Sequence, residues 1–105
     1  FMYIIIFITT KDKKEAGKIA EELLNKKLAA CTTIIEKIES RFWWQGKIDQ
    51  AKESLLIVKS RKDLFPRIEA AVKSIHSYEV PEIIALDISA GSAEYLKWID
   101  DNLQR

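Results

Sequence analysis

The chain has 105 residues, one domain's length, with 48% hydrophobic and 31% charged residues, a composition that excludes a disordered or membrane-spanning polypeptide. Lys and Arg number 17 against 16 Asp and Glu, a net charge of +1, without the basic surplus of a nucleic-acid binder. A single Cys excludes an internal disulfide framework and fits a reducing compartment.

The first run, Phe1 to Ile8, is apolar. It is too short for a bilayer, which needs about 20 residues, and it lacks a basic leader and a small-residue cleavage site. Its β-branched and aromatic residues predict a buried central strand, with Phe1 read as an extra residue ahead of Met2. The expected location is the cytoplasm. After Thr9-Thr10-Lys11-Asp12, Ala16, Ile19, Ala20, Leu23, Leu24 and Leu28 recur at steps of three and four, the stripe of an amphipathic helix, with Asp12 or Thr10 as its cap.

From Thr32 the period changes to two. Thr32, Ile34, Glu36, Ile38, Ser40, Phe42 and Trp44 are expected on one strand face, and Ile35, Lys37, Glu39, Arg41 and Trp43 on the other. Gln45-Gly46-Lys47 is the turn, and a second extended run continues from Ile48 to Lys59. Arms of about a dozen residues reach roughly 40 Å, about twice the usual strand length. The distal half, with Phe42, Trp43 and Trp44, must leave the core. Exposed aromatics on unpaired edges call for another copy of the chain, so these three residues are the expected oligomer interface, the alternative being a hairpin that curls over its own sheet with the aromatics as a satellite core.

Leu64, Phe65, Ile68, Ala71, Val72 and Ile75 form a second helical stripe, with Pro66 in its first turn. His76 to Pro81 is a loop, Glu82 to Ile88 a strand, and Ser92 caps a last helix that faces Tyr95, Leu96, Ile99 and Leu103 inward. The order predicts one α+β domain over 1–105: a ferredoxin-like βαββαβ sandwich with an extended β2–β3 hairpin and a C-terminal helix.

Ala29-Ala30-Cys31, Phe42 to Ile48, Glu53 to Ser60, and His76-Ser77-Tyr78-Glu79-Val80-Pro81-Glu82-Ile83 together resemble the CutA divalent-cation tolerance family over nearly the whole chain. The chain differs from the common pattern at Thr33, Phe42 and Ser77. The resemblance implies a cytoplasmic homotrimer that responds to copper and other divalent metals, related in architecture to P-II signalling proteins.

Imidazole and carboxylate suit Cu(II) or Zn, and a thiolate tightens Cu(I) or Zn. His76 and Glu79, with Cys31, are therefore the candidate metal set, and Cu(II) the foremost metal. The bland reading of His76 is a helix end, and of Cys31 a small buried filler. Lys59, Tyr78, Trp44 and Glu82 are candidates to line an intersubunit ligand cleft, with a Lys59–Glu79 salt bridge as the structural alternative. No Gly-x-Ser-x-Gly, P-loop or Gly-x-Gly-x-x-Gly occurs, so no enzyme is expected. An acylphosphatase's phosphate loop and an RNA-binding module's stacking aromatics are likewise missing. The partners expected are other copies of the chain and metal ions, with no nucleic acid, membrane or organic cofactor. The alternative function is a P-II-like scaffold that binds a small effector.

Overall fold

The computed structural model describes residues 2–105; Phe1 lies outside them. Burial alternates strictly along β1 (Tyr3–Thr10). Ile4, Ile6, Ile8 and Thr10 are fully enclosed, while Tyr3, Ile5, Phe7 and Thr9 point to the other side. The first set packs on α1 (Lys13–Asn25) through Ala16, Ile19 and Leu23 and on α2 (Phe65–Ile75) through Ile68 and Val72. Each such isoleucine contributes about 1.5–3 kcal/mol by burial. Asp12 caps α1, its Oδ1 accepting from the Glu15 N–H at 2.9 Å. The helix ends with Lys27 in the left-handed region (φ 54°). Leu28 N–H then bonds the Leu23 carbonyl and Lys27 N–H the Leu24 carbonyl, the paired bonds of a Schellman close.

β2 (Cys31–Trp44) and β3 (Lys47–Arg61) form the long hairpin, turned by Gln45 (φ 50°) and Gly46 (φ 77°). Two positive φ values make a primed two-residue turn that matches strand twist. A bulge corrects the single strand face expected over Thr32–Trp44. Ile35 pairs with Leu55 but Ile38 with Glu53, so Glu36 and Lys37 together face Ser54, with Lys37 at φ 57°. The extra residue inverts the alternation. Ile38, Ser40, Phe42 and Trp44 therefore share a face with Thr33 and Ile35, not with Thr32 and Ile34.

β4 (Ile83–Asp87) completes an antiparallel sheet of order β2-β3-β1-β4, the predicted ferredoxin-like arrangement. α3 (Ala93–Asp101) starts on Ser92, whose Oγ accepts from Tyr95 N–H, and buries Ile99 and Leu103. Tyr95 was expected to face inward and is exposed. The sheet's second face carries Ile5, Phe7, Leu55, Ile57, Ile84 and Leu86 in register, and none of these six belongs to the helix-packed core. Ile84 and Leu86 are half exposed.

The C-terminal segment is held by Arg61, which is 3% exposed. Its guanidinium donates to Asp63 and Asp100, both at 2.9 Å, and to the Gln104 carbonyl. Those carboxylates hold the Arg61 pKa above its usual value against the cost of burial. Arg61→Met should lower stability by about 1–3 kcal/mol, because it removes the donor of the Gln104 carbonyl and leaves Asp100 with only the looser Arg105 contact at 3.7 Å. Guanidinium unfolding at fixed protein concentration measures this; a loss below about 1 kcal/mol would mean that Arg61 does not anchor α3.

Candidate functional site

The loop after α2 is fastened from three directions. Glu15, enclosed in the first turn of α1, accepts from Lys11 N–H at 3.0 Å through Oε1 and from Ser77 N–H at 2.7 Å through Oε2. His76 has no exposed side-chain surface. Its Nδ1 accepts from Tyr78 N–H at 3.0 Å, which assigns the proton to Nε2, and Nε2 donates to the Thr9 carbonyl at 2.8 Å. Tyr78 Oη donates to Glu53 Oε2 at 2.7 Å. Burial, then the Glu53 contact, pushes the Tyr78 phenol well above its usual pKa. Burial raises the Glu15 pKa, but the hydrogen bonds from Ser77 and Lys11 and the nearby His76 outweigh it and leave a net lowering.

So fastened, the loop stands opposite the distal hairpin across a cleft of about 750 Å³. Ser40, Phe42 and Trp44 form one wall, which the bulge turned this way. Tyr78, Glu79, Val80 and Glu82 form the other, with Thr9 and Glu53 between them. Trp44, Tyr78, Glu79 and Glu82 are thus brought together, in a cleft within one chain and not in the intersubunit cleft that the sequence reading expected.

Lys59 is not in this cleft. Its Nζ donates to Tyr95 Oη at 3.2 Å and lies 5.3 Å from the Tyr95 ring centre, in place of the expected Glu79 bridge. The Tyr95 bond raises its pKa. Cys31 lies opposite Lys59 in the β2–β3 register, on the far part of the ribbon from Glu79. His76 sits beneath the loop with both ring nitrogens engaged, so His76, Glu79 and Cys31 do not form one site within a subunit. Among the described residues, no cluster of three or more His, Cys, Asp or Glu side chains is placed to hold a metal ion. The sequence reading missed Glu53 and Glu15. Glu53 left little signal, since Lys52 precedes it and Ser54 follows it ahead of the apolar run 55–58.

These features define an α+β subunit with a ligand-sized cleft beneath an overlong β-ribbon. Residues 4–102 match the family model described as CutA1 divalent ion tolerance protein, and the chain belongs to that family. The divalent-cation tolerance protein CutA of Archaeoglobus fulgidus is 46% identical, with 98% of this chain and 100% of that one covered. Its solved structure, described as a periplasmic divalent cation tolerance protein, superposes with a TM-score of 0.95. The Thermus thermophilus Cut A1 structure superposes at 0.96 with 39% identity, covering 98% and 100% of the two chains. The chain spans only 56% of the chloroplastic CutA 1 of Oryza sativa, to which it is 39% identical over 94% of its own length. The family is named for tolerance of divalent ions, not for a reaction.

The Glu15 latch has a pH signature. Its folded pKa lies below the usual 4.5, so its stabilisation is complete above about pH 4.5 and is lost as pH falls through the lower folded value. Glu15→Gln should cost about 1–3 kcal/mol near neutrality, and the gap from wild type should close on acidification. Urea unfolding from pH 7 to 3 checks it; a gap that stays constant throughout would exclude the carboxylate charge as its source.

Proposed function

We propose that the chain works as a homotrimer in the cellular response to divalent metal ions, binding Cu(II) or similar cations weakly and exchangeably, without catalysing a reaction. The observation that carries the metal response is the near-full-length match to divalent-ion tolerance proteins. The assembly is supported by surface. The subunit exposes 6,921 Å², against about 6,000 Å² for a typical monomer of its 12.1 kDa mass. The exposed surface includes large apolar side chains on the sheet's second face, Ile84 and Leu86, and at the ribbon tip, where Trp43 (73% exposed) pairs with Ile48. A closed cyclic arrangement covers such surfaces, where an open one would polymerise; the number three follows the family resemblance. Of the expected interface residues, Trp43 faces away from the cleft and is free to meet a neighbour, whereas Phe42 and Trp44 line the cleft wall.

In this reading, Glu79 at the cleft mouth and half-buried Cys31 are the donors available to a cation, each site being completed by a neighbouring subunit. A thiolate and a carboxylate suit a borderline-soft ion. His76 positions the loop that carries Glu79 and becomes a donor only when its bonds to Thr9 and Tyr78 open. The cytoplasm remains the proposed location, supported by the single unpaired cysteine.

Sedimentation at micromolar concentration should give three times the 12.1 kDa subunit mass. Ile57→Lys, on the free sheet face, should release folded monomers; a wild-type 12.1 kDa species would end the trimer reading. Calorimetric titration with Cu(II) should show weaker binding in Cys31→Ser and Glu79→Gln. Isotherms identical to wild type in both would remove these residues from any cation site.

A further inference from the structure

We infer that the cleft between the distal hairpin and the 78–82 loop binds a small organic dication, a linear alkyl diamine, independently of any metal. A volume of about 750 Å³ falls in the range of small-molecule pockets, about 300–1,000 Å³. It is far too roomy for a bare metal ion, which needs its donors about 2–2.5 Å away. Phe42, Trp44 and Tyr78 present aromatic surface to it, and aromatic faces attract ammonium groups and pack on methylene chains.

The charge on the lining has one sign in excess. Glu53, Glu79 and Glu82 line the space; the one cation on that lining is Arg41, whose exposed guanidinium is paired with Glu39 at 3.5 Å. Glu53 gives the independent indication. It is 8% exposed, and it accepts a hydrogen bond from the neutral Tyr78 hydroxyl at 2.7 Å. Among the described residues, no basic side chain makes an ion pair with it. With one oxygen bonded to Tyr78, Glu53 presents its charge to the cleft, where a cation can meet it. One ammonium group at Glu53, a methylene chain along Phe42 and Trp44, and a second ammonium between Glu79 and Glu82 at the mouth would satisfy floor, wall and rim together.

The test is calorimetry with cadaverine at physiological salt and in excess chelator, so that its outcome is separate from the metal reading. Wild type should bind saturably, while the neutral isostere 1,5-pentanediol gives no saturable heat. Glu53→Gln should weaken cadaverine at least tenfold. Because Glu53 is buried, the exposed Glu82→Gln serves as a second variant and should weaken it several-fold with unchanged stability. Trp44→Leu should abolish the accompanying tryptophan fluorescence change. Equal binding of pentanediol, absence of saturable heat because a neighbouring subunit already fills the space, or an unchanged isotherm in both Glu82→Gln and Trp44→Leu would each overturn the assignment.

Discussion

A four-stranded sheet with apolar side chains on both faces needs two covers, and this chain supplies helices for one. α1 and α2 enclose Ile4, Ile6, Ile8, Leu56 and Val58. In β1 and β3, every second residue belongs to the opposite face, where Ile5, Phe7, Leu55 and Ile57 lie side by side. Hydrophobic stabilisation scales with area removed from water, so the second face is a standing reservoir of association energy. The ribbon beyond the sheet adds unpaired edges and aromatic surface to it. Both features press in the same direction, toward other copies of the chain.

The cleft depends on a different device. A loop carrying Tyr78, Glu79 and Glu82 would be mobile if held only by its ends. Here Glu15, His76 and Tyr78 tie it to α1, β1 and β3 respectively. The most tempting metal ligand in the sequence is consumed by this work: a His with one nitrogen accepting and the other donating has no lone pair left to offer. Enclosure of its ring makes the same point sterically.

The order of elements, the caps at Asp12 and Ser92 and the turn at Gln45-Gly46 were legible because each rests on contacts within a few residues. The bulge was not. Lys37 at positive φ carries no local mark, since lysine has no preference for that region, yet this one residue decides which hairpin side chains see the cleft. The partners of Lys59 and Glu15 were also hidden. Lys59 bonds a residue 36 positions away and Glu15 one 62 away, and spacing rules do not reach that far. β1 was read as a buried central strand, and its even residues are enclosed while its odd ones are half-buried; an apolar run on both faces does not tell which face the chain's own helices cover.

The two adjacent tryptophans show how the fold sends neighbouring rings to opposite surfaces. Successive side chains on a strand point to opposite faces. Trp44 therefore looks into the cleft while Trp43 pairs with Ile48 on the ribbon's back. Without the bulge, Trp43 would take the face that Trp44 now shares with Thr33 and Ile35, and Trp44 would turn to the ribbon's back. The extra residue at Glu36-Lys37 thus decides which of the two rings stands beside Glu53, Glu79 and Glu82.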